Sequence, residues 1–199
     1  MWNPSIRRRR TARGLTLGEL LAALAVVAVL AAVAAPGMAG LVANRQSDAA
    51  SEQMLRAVRY TRSLAVTRRV TATLCPGAGE RCGPRDSWHE GAFVFLDRDA
   101  DGRRALDEPV ARRMPPLPRG YRATWRSFRN RVSLSMRPTG LTDWQAGNLL
   151  ICPPDGDPKG ARQLIINAQG RVRQARDSDG DGIVENADGN PVSCQGRSD

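Results

Sequence analysis

Residues 10–19 read Arg-Thr-Ala-Arg-Gly-Leu-Thr-Leu-Gly-Glu, and the run that begins inside them, Leu15 to Ala35, is almost wholly apolar. About twenty such residues suffice for a helix to cross the hydrocarbon core of a bilayer. A basic stub precedes the run, with Arg7, Arg8, Arg9, Arg10 and Arg13, and positive charge before a first span keeps that end cytoplasmic. One carboxylate, Glu19, stands at the fifth residue of the run. A lone ionisable group deep in lipid costs on the order of 3 kcal/mol, so Glu19 calls for a partner, and a free amine on a neighbouring chain would be one. Two plainer targeting readings compete: an uncleaved signal anchor, and a secretory signal cut near Val33-Ala34-Ala35. The run is long for the apolar part of a secretory signal, and Glu19 suits neither alternative. Arg9-Arg10 is a weak twin-arginine signal in a chain this rich in arginine.

The junction resembles the prepilin signal of type IV pilins and type II secretion pseudopilins. That resemblance implies cleavage by a prepilin peptidase after Gly14, methylation of the new terminus at Leu15, and pairing of Glu19 with the terminus of an adjacent subunit. Pro36 falls at the twenty-second place of the resulting chain, where many pilins carry a helix-kinking proline. Leu15 and Gly18 stand where the family usually has Phe and a branched residue. The expected segments are a leader, 1–14, a transmembrane half-helix, 15–35, an amphipathic half-helix, 36–69, a β-rich domain, 70–176, and an Asp-rich tail, 177–199.

The chain has 199 residues and a formal net charge of +10. Without the five leader arginines the charge is about +5. The 140–150 or so residues beyond the anchor are ample for one core. A basic exterior favours anionic partners such as DNA or a membrane surface, although charge alone equally describes a solvated face. Four cysteines, Cys75, Cys82, Cys152 and Cys194, all follow the anchor, on the oxidising side. Their even number suggests two disulfides, with Cys75–Cys82 and Cys152–Cys194 the expected pairs. Zinc is disfavoured: there is no Cys-x-x-Cys, and His89, read as a surface or loop residue, is the single histidine.

From Met38 to about Arg68 the apolar residues Met54, Leu55, Val58, Leu64 and Ala65 recur at helical spacing against arginines. The period then changes. Short strands are predicted at Val70–Leu74, Gly91–Leu96, Val110–Arg113, Tyr121–Trp125, Arg131–Met136, Asn148–Cys152, Gln163–Asn167 and Arg171–Gln174. A long helix followed by short strands is an α+β fold, with the helix stripe packed on an antiparallel sheet. Several blocks resemble the GspH/FimT family of minor pilins and pseudopilins: the helix end Arg59–Arg69, the strand Val70–Cys75, Trp88–Asp97, Arg137-Pro-Thr-Gly140, and Gln163–Arg173. The resemblance spans about residues 10–176 and leaves the tail outside. It implies a type IV pilin-like fold and assembly with other pilin or pseudopilin subunits.

Gly170-Arg171-Val172-Arg173 is the first candidate site. Arginines two apart on a strand point the same way and can grip consecutive phosphates, and Arg176 extends the patch. In the FimT-like branch such a Gly-Arg-x-Arg motif is linked to binding double-stranded DNA for natural transformation. The plainer reading is a hairpin turn, and Asp177, Asp179 and Asp181 would repel DNA unless neutralised. The acidic loops are the second candidate. Asp97, Asp99 and Asp101 at loop positions 1, 3 and 5, Gly102 at 6 and Glu108 at 12 have the spacing of an EF-hand loop, which suits calcium, though strands rather than helices flank it. Asp177-Ser-Asp-Gly-Asp-Gly182 begins the same way and reaches Asp188 at position 12. Solvated carboxylates in a β-turn are the alternative for both. Trp88, Trp125, Trp144, Phe93 and Phe95 are expected in the core rather than as a stacking platform. No catalytic constellation is recognisable, so a non-enzymatic subunit is expected: single-pass in the inner membrane with its domain in the periplasm, then in a pilus or a type II secretion pseudopilus.

Overall fold

The computed structural model describes Gly14, residues 16–77, 80–128 and 130–195, without the side chains of residues 34–37 and 39. The basic leader and Leu15 lie outside the described residues. By internal contacts the chain divides into two units, at Leu41 and Val42. One helix, α1, runs Leu17–Arg68 and is unbroken at position 36. Every described side chain from Thr16 to Val33 is exposed. Among the described residues no helix is long and apolar enough to cross a membrane. The stretch expected to span begins at the undescribed Leu15 and runs into the undescribed side chains 34 and 35.

Eight strands follow: β1 Ala72–Pro76, β2 Ala92–Leu96, β3 Val110–Met114, β4 Arg122–Ser127, β5 Leu134–Met136, β6 Gly147–Cys152, β7 Arg162–Ile166 and β8 Val172–Gln174. They form not one sheet but two, ordered β3-β2-β1-β5 and β4-β6-β7-β8, with antiparallel pairs throughout. The C-terminal half of α1 binds both. Met54, Val58 and Ala65 share one cluster with Leu74, Val94 and Met136 of the first sheet and Trp125, Ile151 and Leu164 of the second. Polar ties begin at Ala43, whose carbonyl accepts from Tyr121 Oη at 3.3 Å, and burial begins at Ser47. Tyr121 Oη lies 3.0 Å from Ser47 Oγ, and Arg162 Nε donates to Asp48 at 2.8 Å.

The first sheet is covered on both faces, so β2 reads as an apolar run, and β1 is buried throughout although Thr73 interrupts its apolar residues. Ala72, Leu74, Ala92 and Val94 face the helix; Cys75, Phe93 and Phe95 form a second cluster on the opposite face, packed by Val110 and Cys82. The disulfides are Cys75–Cys82 and Cys152–Cys194. β1 starts two residues later than expected because Arg69 ends the helix in the left-handed region, φ 53°, and the turn consumes residues 70 and 71. β5 is shorter than expected because Arg131 and Ser133 bond elsewhere: the Arg131 amide donates to Ser127 Oγ, and the Ser133 hydroxyl to the Gly102 carbonyl. Trp144 departs from the predicted core: it is 61% exposed with φ 57°.

Candidate functional site

The β7–β8 hairpin turns through Asn167–Arg171. Gly170 donates to the Asn167 carbonyl, Arg171 N to Asn167 Oδ1, and Asn167 N to the Arg171 carbonyl, all at 3.0–3.1 Å. Gly170 has φ 69°, and a Cβ there would overlap the carbonyl oxygen of Gly140. Gly140, itself at φ 79°, accepts a bond from Arg62 Nε of α1 at 3.0 Å. The glycines of the two predicted motifs, Arg-Pro-Thr-Gly and Gly-Arg-x-Arg, therefore meet under one helix side chain. That contact fixes where the next residues emerge.

Val172 packs on the core, so its neighbours Arg171 and Arg173 turn outward on an edge strand. A cleft of about 660 Å³ lies between the helix end and the hairpin, with Arg59, Arg62, Thr67 and Arg171 on its walls. An adjoining cleft shares Arg59 and Val172 with it and adds Glu52, Arg173 and Arg176. Among the described residues no carboxylate pairs with Arg59, Arg171, Arg173 or Arg176. The predicted pair is thus brought onto one face, joined by Arg59, which the spacing of the hairpin motif alone does not reveal; the helix periodicity that put Arg59 opposite the apolar stripe was the available signal.

The loop between β2 and β3 carries the first acidic set. Asp97 and Glu108 are buried, at 0% and 3% exposure, while Asp99 and Asp101 are exposed. One oxygen each of Asp97, Asp99 and Glu108 lies within 4.8 Å of the others; Asp101 is not in this group. Asp97 Oδ2 accepts from the Thr73 hydroxyl at 2.6 Å and from Gly102 N at 3.1 Å. Burial pushes the Asp97 carboxyl up to about 6, against the pull of those two donors and with the help of Asp99 and Glu108 nearby. In the tail, Asp177, Asp179 and Asp181 gather with Glu185, which takes the place expected for Asp188 because the chain turns back early through the Glu185–Pro191 bridge. The backbone amides of Gly180 and Gly182 hold the exposed Asp177 carboxyl below the usual range.

Residues 50–170 match the family described as type II transport protein GspH. The chain belongs to the GspH family. The GspH match ends one residue before Arg171 and includes neither the N-terminal run nor the tail. Two crystal structures of the type IV minor pilin FimU of Pseudomonas aeruginosa share the fold. One is 19% identical with a TM-score of 0.53, covering 75% of this chain and 96% of that one; the other is 20% identical with a TM-score of 0.50, covering 74% and 98%. No curated protein matches by sequence. The GspH-family core is therefore an α+β pilin-like fold, as the sequence predicts.

At the start of α1, this GspH-family chain closes a capping box. Thr16 N and Oγ1 donate to Glu19 Oε2 at 2.9 and 3.0 Å, and Glu19 N donates back to Thr16 Oγ1 at 3.3 Å. Helix begins at Leu17, so Gly14 lies outside it and is exposed. The sequence suggested Glu19 as an acid in search of a partner; within one chain, Thr16 already serves it.

Proposed function

We propose that this chain is a minor subunit of a type IV pilus that assembles through α1 and captures extracellular double-stranded DNA with Arg171 and Arg173. The supporting observation for assembly is the exposure of every described side chain from Thr16 to Val33, an apolar face all round that water does not tolerate and lipid or partner helices do. In this reading a prepilin peptidase cuts after Gly14, the new terminus at Leu15 is methylated, and residues 15–35 hold the chain in the inner membrane with the folded domain in the periplasm until assembly. Glu19 then exchanges its Thr16 bonds for the terminus of a neighbouring pilin. No catalytic role is proposed. Mass spectrometry of the membrane-extracted chain is expected to find methylated Leu15 as the first residue. A chain beginning at Met1, or cut near residues 33–35, would sink the assembly reading.

The DNA reading is supported by the outward Arg171 and Arg173 with Arg59 beside them. A shift titration of the full chain in detergent across a salt series tests it. Binding is expected to weaken steeply with salt, and the double substitution Arg171→Ala/Arg173→Ala to lower the log–log salt slope by about 2. Absence of binding at low salt would leave the hairpin as a turn. The second reading, a type II secretion pseudopilin acting in protein export, is favoured by the family description itself. Deleting the gene would then block exoprotein release and leave DNA uptake intact.

A further inference from the structure

We propose that the β2–β3 loop is a calcium site, with Asp97, Asp99 and Glu108 as its carboxylate ligands. Acidic side chains gathered on a surface are ordinary; here two of the three, Asp97 and Glu108, are buried and Asp99 alone is exposed. Asp97 is fully buried, and its Oδ1 has no hydrogen-bond partner among the described residues. Its other oxygen is already held by Thr73 and Gly102, so the carboxylate cannot swing away to water. An unpartnered buried oxygen carrying negative charge is among the most expensive groups a fold can keep.

Among the described residues no cation supplies the missing positive charge. Arginines surround the loop, yet their bonds go to carbonyl oxygens: Arg104 Nε to Glu108 O at 3.0 Å, Arg104 Nη1 to Glu80 O at 3.0 Å, and Arg131 Nη1 to Asp101 O at 3.5 Å. Among the described residues no ion pair includes Asp97, Asp99 or Glu108. The spacing of the carboxylates suits one ion. Calcium holds oxygens at about 2.4 Å, so ligands on opposite sides stand about 4.8 Å apart, the limit within which these three gather.

The loop is also built to hold its shape without depending on the carboxylates moving. Glu108 Oε1 and Oε2 accept from Arg98 N at 2.6 Å and Ala105 N at 3.0 Å, which orients both oxygens. Ser133 Oγ fastens Gly102 from β5's side at 3.0 Å. The Asp97–Gly102 bond closes the turn that places Asp99 over Asp97. An all-oxygen set suits a hard cation, and calcium tolerates irregular ligand placement where magnesium demands a near-ideal octahedron. The three tail aspartates, by contrast, are exposed and Asp177 is satisfied by backbone amides, so that set carries no such demand.

The test uses the oxidised full chain in detergent, stripped with EGTA, in a background of Asp179→Asn/Asp181→Asn that silences the tail. Calcium chloride is titrated by calorimetry to about 5 mM, and melting is followed in parallel. One equivalent of calcium is expected to bind and to raise the melting temperature. Asp99→Asn, at an exposed position whose one hydrogen bond among the described residues comes from Asp101 N at 3.3 Å, is expected to melt like its parent without calcium and to bind at least fivefold more weakly. Glu108→Gln is expected to abolish binding. The proposal is overturned by a titration without heat or melting shift, by an Asp99→Asn affinity within fivefold of the parent, or by magnesium chloride giving the same shift at the same concentration.

Discussion

At position 170 the backbone has φ 69° and no space for a side chain, whereas at Gly180 it has φ 84° and open space around it. Gly170→Ala therefore adds an overlap with the Gly140 carbonyl to the left-handed strain, and Gly180→Ala adds the strain alone. Thermal melts are expected to show a loss of more than about 3 kcal/mol for the first and about 1–2 kcal/mol for the second. Tyr121→Phe removes a buried hydroxyl that lies 3.0 Å from Ser47 Oγ and is expected to cost about 1 kcal/mol by urea unfolding. At this scale the sequence was legible where chemistry is local. Gly-Arg-x-Arg announced a turn with two outward arginines, and Asp-x-Asp-x-Asp-Gly announced a turn of oxygens. Burial was not local: Asp97 and Asp101 look alike in sequence, and what separates them is Thr73 of the neighbouring β1, whose hydroxyl donates to Asp97 in the interior. Trp144 was misread for the same reason, since no period marks a residue held out of the core by its own left-handed turn.

The helix and the strands were each legible because each has a period. Helical spacing from Met54 to Ala65 survives as the buried stripe, and the eight predicted strands recur within a few residues of their expected ends. Their division into two sheets was not legible, because β5 returns to β1 and β4 to β6, pairings that no short-range pattern encodes. Helix termination was legible only as a change of period, not as its means. Arg69 occupies a left-handed cap position where a glycine is the unstrained choice. Arg69→Gly is expected to raise stability by about 0.5–1 kcal/mol, read as a higher melting temperature with unchanged far-UV circular dichroism. A gain would also show that the arginine is not kept there for the stability of the helix.

Across the whole molecule the two disulfides close very different loops, with sequence separations of 7 and 42. Chain-entropy reasoning gives the longer one about 4 kcal/mol and the shorter about 2.4 kcal/mol, so paired Cys→Ala variants are expected to lose stability in that order in denaturant titrations. The longer loop has a mechanical meaning as well. β7, β8 and the arginine hairpin all lie between Cys152 and Cys194. A filament subunit pulled through its helix while its hairpin holds a ligand carries load along its covalent skeleton. Were the fold to give way, load would reach the hairpin by two covalent routes, directly from Cys152 and through Cys194 back along the chain. The hairpin would then stay attached after a single backbone cut anywhere between Cys152 and Cys194, and only in a chain with that bond reduced would a cut ahead of the hairpin set it free.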